Sequence, residues 1–318
     1  MSTRTTEAGE GQPAPPVSAD EAAGPAPRPT PGSLALAVLQ ASRPKQWPKN
    51  LLVFAAPLAG ATLGRAHGLT YALVAFVAFT AASASVYLLN DAMDAERDRL
   101  HPVKRLRPVA SGRLPKAAAL ALAPAGLAVA LALSGLIGEP WLAVVISAYV
   151  TMSVLYNLGL KHVPGAEVAI VALGFVLRAL GGAVATHVPP SGWFLTVLCL
   201  GALMVAIGKR YTELAALGPQ AAAHRPVMRW YRLGMLRVAQ RLAAAVMLVA
   251  YLLWALAEQD AWMRGWHLAS LIPLAAALIR FDHLSGKGEG KPVEDLIARD
   301  LPMICWELMW LTMFVVGL

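Results

Sequence analysis

Apolar runs of bilayer length recur along the chain and constrain its fold more than any other feature. A helix needs about 20 mostly apolar residues to cross a membrane. About nine stretches meet or approach that length, at residues 50–64, 69–92, 117–137, 140–158, 166–186, 193–210, 236–257, 265–280 and 302–318. Of the 318 residues, 57% are hydrophobic and only 14% are charged, which excludes an ordinary soluble domain. The sequence therefore predicts an all-α, polytopic membrane protein.

The first 32 residues differ in composition from the rest. Pro, Ala, Gly, Ser and Thr dominate residues 1–32, and such a segment cannot bury enough apolar surface to fold. It also lacks the continuous apolar region of a secretory signal peptide. We therefore expect a disordered tail at 1–32 and one transmembrane domain at 33–318, in which residues 33–41 form a half-helix on the membrane surface.

The loops differ in their content of Lys and Arg. Most of the 27 basic residues fall in alternate loops, at 43–49, 97–116, 161, 209–237 and 280–299, whereas the opposite loops hold Arg65 and Arg264. Because positive loops stay on the cytoplasmic side, this bias predicts a cytoplasmic N-terminus and an external C-terminus in the cell membrane. It also accounts for the net charge of +8 without a nucleic-acid partner.

Residues 90–98, NDAMDAERD, gather acidic side chains at the end of an apolar run. On a helix, Asn90, Asp91, Asp94 and Asp98 share one face because they are three or four positions apart. Mutual repulsion and the helix dipole both oppose this arrangement unless a cation offsets it. Oxygen ligands at a membrane edge suit Mg²⁺. The alternative is a helix end whose acids pair with loop cations, and for Asp98 the two interpretations are equally favoured.

The loop that follows, HPVKRLRPVASG (101–112), adds cations to the acidic stripe. Lys104 and Arg107 lie in it, and Pro102 and Pro108 restrict its backbone. A metal together with Lys and Arg side chains can neutralise a diphosphate group. The stripe and the loop together predict a site for a diphosphate substrate.

The pattern N-D-x-x-D-x-x-x-D followed by HPxKxxRPxASG resembles the first aspartate-rich motif of the UbiA superfamily of intramembrane transferases. The resemblance implies a bundle of nine helices around a central cavity open to the cytoplasmic side. It also implies that Asp91 and Asp94, with Asn90 and Asp98, bind Mg²⁺, which holds a diphosphate and helps to ionise the carbon that bears it.

Other motifs indicate one branch of this superfamily. Members that prenylate aromatic acceptors carry a second DxxxD motif, but here Glu167 is the only acid in 156–186. SRPKQWPKNLLVFAAPL (42–58), YNLGLKH (156–162), GFVLRALGG (174–182), GKRYTEL (208–214) and EDLIARD (294–300) are similar to the decaprenyl-phosphate phosphoribosyltransferases. This implies a pentosyltransferase that moves 5-phosphoribose from 5-phosphoribosyl 1-diphosphate to decaprenyl phosphate, for cell-wall arabinan synthesis.

Three phosphate groups in such a reaction require many cations. The predicted phosphate-binding residues are Lys45, Lys49, Lys104, Arg107, Tyr156, Lys161, Arg178, Lys209 and Arg210. Arg178 lies near the middle of a span, where a charge is costly and marks function; the alternative is a structural partner for Glu167 or Glu213. Lys45 and Lys49 could equally bind anionic lipid headgroups.

Two other functions compete with phosphoribosyl transfer. The first is transfer of a prenyl group from its diphosphate to an aromatic acceptor, which the missing second DxxxD disfavours. The second is transport, which usually places polar groups on broken helices at the midplane and shows repeat symmetry. The predicted partners are the two substrates and membrane lipid, and a homo-oligomer is compatible with the sequence.

Overall fold

A computed structural model describes residues 31–287, 297 and 299–318, and the structure of this part is helical throughout, without a strand. The α-helices are α1 (Pro31–Ala41), α2 (Ala55–Ala59), α3 (Ala66–Met93), α4 (Ala95–Arg99), α5 (Lys116–Leu136), α6 (Pro140–Leu158), α7 (Ala166–Ala185), α8 (Gly192–Leu217), α9 (Ala221–His224), α10 (Leu233–Ala257), α11 (Ala261–Gly286) and α12 (Leu301–Val316). The predicted tail lies outside the described residues, except that Pro31 and Gly32 begin α1. Most of EDLIARD also lies outside them.

Seven helices of the described part are long and apolar enough to cross a membrane, namely α3, α5, α6, α7, α8, α10 and α11. Their bounds agree with the predicted spans, except that α8 and α11 extend further, to Leu217 and Gly286. The ninth predicted span is α12, with only 16 residues. The all-helical, multi-pass prediction is confirmed, whereas nine membrane-length helices are not found in the described part.

The predicted first span, 50–64, is wrong as a continuous α-helix. Residues Pro44–Phe54 form a 3₁₀ helix, which continues into the five residues of α2. Pro48 lies inside this helix and lacks a backbone N–H, so it interrupts the α-helical hydrogen-bond pattern. A 3₁₀ helix rises about 2 Å per residue, against 1.5 Å in an α-helix. The segment therefore reaches further along the bundle than its length in residues suggests.

This 3₁₀ segment packs closely against α7. An added Cβ on Gly182 would lie only 1.7 Å from the carbonyl oxygen of Val53. On the facing side of α7, an added Cβ on Gly181 would lie 2.2 Å from the ring of Phe79. The two glycines therefore let α7 sit between the 3₁₀ segment and α3.

Short connections make successive helices antiparallel. The links at 137–139, 159–165, 186–191 and 258–260 leave no room for the chain to cross the bundle. The C-terminal ends of α3, α6, α8 and α11 therefore meet the N-terminal ends of α5, α7, α10 and α12. This shared end, called the charged end below, also holds the basic loop after α4.

Candidate functional site

The first ionic cluster lies where α3 ends. Arg43 donates from Nη2 to Oδ1 of Asp91 at 2.5 Å. Arg107 contacts the same oxygen from Nη1 at 3.3 Å and donates to Oδ2 of Asp98 at 2.7 Å. We call Arg43, Asp91, Asp98 and Arg107 the α3 cluster. Its two carboxylates are buried, whereas the side chains of its arginines are 31% and 29% exposed.

A break in the helix separates the members of the predicted acidic stripe. α3 ends at Met93, Asp94 adopts non-helical dihedral angles, and α4 begins at Ala95. Asp91 and Asp98 share Arg107, whereas Asp94 lies beside Arg97 at 3.7 Å and is partly exposed. Asn90 accepts the backbone N–H of Asp94 through its carbonyl oxygen at 2.9 Å. The structure thus brings together two of the three aspartates through an arginine.

The residues of the stripe fit a Mg²⁺ ion whose remaining ligands come from water and from the substrate. In the part of the chain that the structure describes, no three acidic, histidine or cysteine side chains converge as a ready-made metal cage. Mg²⁺ is usually bound by one or two carboxylates together with waters and substrate phosphates. The carboxylates of Asp91 and Asp98, joined by nearby cations, supply this donor chemistry.

A second ionic cluster joins α7, α8 and the loop after α9. Glu167 accepts from Nε of Arg210 and from Nη1 of Arg225, each at 3.2 Å. Arg210 also pairs with Glu213, whose other oxygen lies 3.5 Å from Nε of Arg225. We call Glu167, Arg210, Glu213 and Arg225 the α8 cluster. It ties three chain segments together at the charged end.

Burial encloses two members of the α8 cluster, an acid and an arginine. The side chains of Glu167 and Arg210 are 0% and 2% exposed. Because Arg210 binds two carboxylates, its guanidinium is already neutralised, and the structure does not present it as an open phosphate ligand. Tyr156 accepts from Arg225 at 3.2 Å through its hydroxyl, so the cluster holds one predicted phosphate ligand in position.

The loop containing Tyr231 closes over the start of α7. The backbone N–H of Gly165 donates to the hydroxyl of Tyr231 at 2.8 Å. Burial raises the pKa of this phenol, and nearby Glu167 adds to the increase. Tyr231 therefore stays neutral, and its hydrogen bond fixes the loop to the start of α7 beside the α8 cluster.

Arg178 lies apart from both clusters, deep in α7. Its Nε donates to Oδ1 of Asn50 at 2.7 Å, and its Nη2 donates to the hydroxyl of Tyr149 at 2.9 Å. Its Nη1 donates to the carbonyl of Gly174 at 2.7 Å. Asn50 in turn donates to the hydroxyl of Thr80 at 3.0 Å. The predicted alternative, a pair with Glu167 or Glu213, is wrong, because the acceptors of Arg178 are neutral.

The remaining predicted cations lie at the charged end. Lys45 and Lys104 are exposed, whereas Lys49, Lys161 and Lys209 are half-buried. Lys104 begins a short 3₁₀ turn, Lys104–Leu106, whose backbone is held by the Nδ1 atom of His101.

An apolar cavity of about 540 Å³ opens between the 3₁₀ segment, α8, α10 and α12. Leu51 and Ala55 line it on one side, and Trp193, Trp254 and Trp310 line it on the others. Trp193 is near the start of α8 and Trp254 near the end of α10. The cavity therefore extends toward the end of the bundle opposite the charged end, and its chemistry suits a hydrocarbon chain.

Sequence reasoning missed two arginines of the site. Arg43 precedes Lys45 in the same basic motif, and its contact with Asp91 spans 48 positions of the chain. Arg225 lies in a loop that the basic bias assigned only to membrane orientation, yet it contacts Glu167 and Tyr156. Neither pairing leaves a periodic signal, because each depends on how distant segments pack.

Comparison with known proteins identifies relatives across nearly the whole chain. The UbiA prenyltransferase family model matches residues 51–292. A decaprenyl-phosphate phosphoribosyltransferase of Mycobacterium tuberculosis is 38% identical over 290 residues, covering 88% of this chain and 94% of that protein. The enzyme of the same description from Corynebacterium glutamicum is 35% identical, covering 91% and 89% respectively.

A solved structure shares the fold. A UbiA homolog from Archaeoglobus fulgidus bound to GPP and Mg²⁺ superposes with a TM-score of 0.65, covering 88% of this chain and 98% of that one. The two sequences are 16% identical, so the likeness is one of architecture.

Proposed function

The chain belongs to the UbiA prenyltransferase family of membrane transferases, and on that basis we propose that it transfers 5-phosphoribose from 5-phosphoribosyl 1-diphosphate to decaprenyl phosphate. The products are decaprenylphosphoryl-5-phosphoribose and diphosphate. The observation that carries this proposal is the 35–38% identity to decaprenyl-phosphate phosphoribosyltransferases over about nine-tenths of both chains. Identity of that extent favours the same reaction as well as the same fold.

The charge at the site suits this reaction. The donor brings a 5-phosphate and a diphosphate, and the acceptor brings a further phosphate. Lys45, Lys49, Lys104, Lys161 and Lys209 lie at the charged end, where they can bind these groups. We assign Arg107 and Tyr156 to the same task, since both are partly exposed beside the clusters.

Mg²⁺, when bound, stabilises negative charge on the leaving diphosphate as a Lewis acid. Asp91, Asp94 and Asp98 would hold it, with Asn90 beside them. The basic side chains orient the acceptor phosphate toward the anomeric carbon of the donor, and such positioning supplies much of the rate enhancement in group transfer. The acceptor phosphate is ionised at neutral pH, so no strong general base is needed.

Arg178 and Arg210 contribute in a different way. Arg210 supports the site through the α8 cluster rather than through an open contact with phosphate. Arg178 is a buried cation with neutral acceptors, and its field favours an anion in the interior of the bundle. We therefore assign Arg178 to electrostatic attraction of a substrate phosphate.

The polyprenyl chain occupies the apolar cavity between the 3₁₀ segment and α12. Its lining is almost entirely apolar, and it lies on the membrane-embedded side of the charged end. The phosphate of the lipid would then reach the basic residues while its chain stays among hydrophobic side chains.

The charged end faces the cytoplasm in this proposal, and the protein lies in the cell membrane with its N-terminus inside. The basic loops support this orientation, and a soluble sugar donor would meet the lipid there. Residues 33–318 form the single transmembrane domain, and the product supplies cell-wall arabinan synthesis.

Prenyl transfer to an aromatic acceptor is the second candidate. At the place in α7 where a second acidic motif would bind metal, Glu167 is instead held by two arginines. This arrangement disfavours a second metal-bound diphosphate. Transport is disfavoured because the described charges concentrate at one end of the bundle.

A transfer assay tests the proposal. Purified full-length protein would receive labelled 5-phosphoribosyl 1-diphosphate, decaprenyl phosphate and Mg²⁺, in parallel with a prenyl diphosphate and an aromatic acid. We expect label in the lipid, lost with EDTA and restored by Mg²⁺. Transfer only from the prenyl diphosphate would overturn the phosphoribosyl assignment.

A further inference from the structure

Arg43 contacts Asp91 from an unusual backbone position. It lies between the end of α1 and the 3₁₀ segment with φ 55° and ψ 67°, the left-handed region. A non-glycine residue there costs about 1 kcal/mol, and such strain persists where the surroundings over-determine it. The guanidinium lies 4.7 Å from the ring centroid of Tyr87 and 2.5 Å from Oδ1 of Asp91. Local packing thus directs this side chain onto the aspartate.

One oxygen of Asp91 accepts two guanidinium groups. Arg43 and Arg107 both contact Oδ1, and Arg107 also holds Asp98. The four residues carry two positive and two negative charges and are neutral as a set. The buried carboxylates are therefore already compensated by arginines, without a metal ion.

A metal ion must compete with these arginines for Asp91. A dication bound to Oδ1 would share that oxygen with both guanidinium groups, and like charges held this close repel strongly in a partly buried site. The arginine side chains are the exposed part of the cluster and the carboxylates are the buried part. An approaching cation therefore meets the guanidinium groups first.

We propose that Arg43 and Arg107 are exchangeable counter-ions of the metal site. They neutralise Asp91 and Asp98 before the donor binds, and they move onto the donor diphosphate when its metal ion takes the carboxylates. Arg43, like Arg107, is thus a residue that binds the donor diphosphate. This inference rests on the proposed function, because it assumes a metal-bound diphosphate donor.

Exchange of this kind couples the binding of metal to the binding of diphosphate. A metal ion alone must displace guanidinium groups that have no new anion to bind. In the presence of diphosphate, the displaced arginines form new charge-assisted hydrogen bonds. Metal affinity should therefore be low alone and higher with diphosphate, and by linkage the converse holds equally.

A titration of purified full-length protein with Mn²⁺ tests the exchange. Electron paramagnetic resonance would measure the bound and free Mn²⁺ and so give the metal affinity. The titration would be run with and without inorganic diphosphate on wild type, Arg43→Gln and Arg107→Gln. Arg105→Gln is the matched control, because it removes one positive charge from an exposed position of the same loop. Apparent unfolding temperatures would confirm that each variant is folded.

We expect each of the first two substitutions to tighten binding of Mn²⁺ alone by about three- to tenfold, since the loss of a competing ion pair has that order of effect. The gain in metal affinity on adding diphosphate should shrink in the same variants, and Arg105→Gln should resemble wild type. Weaker or unchanged binding of Mn²⁺ alone in folded Arg43→Gln and Arg107→Gln would overturn the exchange.

The variant Asp91→Asn distinguishes an error in the metal-ligand assignment from an error in the proposed arginine exchange. If this variant binds Mn²⁺ with diphosphate as wild type does, the assignment of the metal ligands is wrong, whatever the arginine variants show. If Asp91→Asn abolishes binding while Arg43→Gln merely lowers it, the metal site stands and the counter-ion role of Arg43 is rejected. Arg107→Gln tests the exchange independently should Arg43→Gln fail to fold.

Discussion

The α3 and α8 clusters each contain two acids and two arginines, but they differ in which of these side chains are exposed. In the α3 cluster both arginines are about one-third exposed over buried carboxylates. In the α8 cluster Arg210 is buried together with Glu167, and only Arg225 and Glu213 are partly exposed. The buried members of the α3 cluster are thus its two carboxylates, whereas those of the α8 cluster are an acid and its arginine, Glu167 and Arg210.

This difference separates a binding site from a structural clamp. A charge buried with its partner is costly to expose or to leave unpaired, so the α8 cluster holds α7, α8 and the loop after α9 together. The α3 cluster faces the basic loop, and its ions can exchange partners with little loss of burial. Similar side chains are therefore expected to bind substrate at one place and to hold the architecture at the other.

The largest effect on activity is expected from a substitution that breaks the α3 cluster. Asp91→Asn should lower the transfer rate by about a thousandfold, because a metal ion stabilises developing charge by several kcal/mol. The assay of labelled lipid measures this loss. Glu96→Gln is the control, because Glu96 is an exposed acid on α4 that pairs with Arg99. Equal losses in the two variants would show that the assay reports general charge rather than the site.

Stability should respond most to the α8 cluster. Glu167→Gln leaves Arg210 buried beside a neutral group and should cost about 3 kcal/mol of unfolding free energy, observed as a lower apparent unfolding temperature. Glu213→Gln should cost less, since Glu213 is partly exposed. If Glu167→Gln abolished metal binding at unchanged stability, the assignment of the α8 cluster as a clamp would be wrong.

A substitution in the apolar cavity should differ from those in the two clusters, because it should change the binding of the lipid substrate alone. Ala55→Phe places a ring in the cavity and should raise KM for the lipid acceptor about tenfold, as loss of one to two kcal/mol of apolar contact predicts. KM for the ribosyl donor should stay unchanged. Ala121→Phe, on an exposed position of α5, serves as the control. An equal change for both substrates would argue against a separate lipid site.

The smallest effect concerns a third ion pair at the charged end. Asp300 accepts from Arg280 at 3.0 and 2.7 Å and caps α12 by accepting the N–H of Met303 at 2.9 Å. Asp300→Ala should cost about 1–2 kcal/mol. Asp260→Ala removes a comparable cap from α11, and among the described residues no arginine pairs with that cap. The difference between the two variants measures the contribution of Arg280, and equal losses would mean that it contributes nothing.

The same pair predicts a dependence on pH. The hydrogen bond from Arg280 holds the pKa of Asp300 below its ordinary value. A depressed folded-state pKa gives stability that is present above the unfolded value, near pH 4, and is lost as pH falls through the folded value. Below pH of about 4, the difference in unfolding temperature between wild type and Asp300→Ala should therefore shrink. A difference that persists at lower pH would exclude this origin.

Helix bounds were predictable wherever apolar length was the only requirement. Predicted span 140–158 coincides with α6, and 166–186 differs from α7 by one residue. The first span failed because hydropathy does not register the backbone conformation, and residues 50–54 continue the 3₁₀ helix that contains Pro48. The Asp91 motif was predictable because its spacing and its basic loop are both local in sequence.

The partners of the charged residues were not predictable in the same way. The alternative to phosphate binding by Arg178 was a pair with Glu167 or Glu213, yet packing of the 3₁₀ segment against α7 gives it Asn50 as a partner. Arg210 looked like a phosphate ligand at a helix end, but α8 continues to Leu217 and buries it. Each outcome depends on which distant segment lies opposite the side chain.

The sequence by itself determined the class of fold and the end of the bundle at which most charged residues lie, because both follow from local requirements. A span must be apolar over its whole length, and positive charge must stay in the loops on one side. Only the tertiary structure decided that Asp91 is held by Arg43 and Arg107 while Arg210 is enclosed by Glu167 and Glu213. The strength and accessibility of an ion pair depend on burial and on partners many residues away, and no local pattern encodes them.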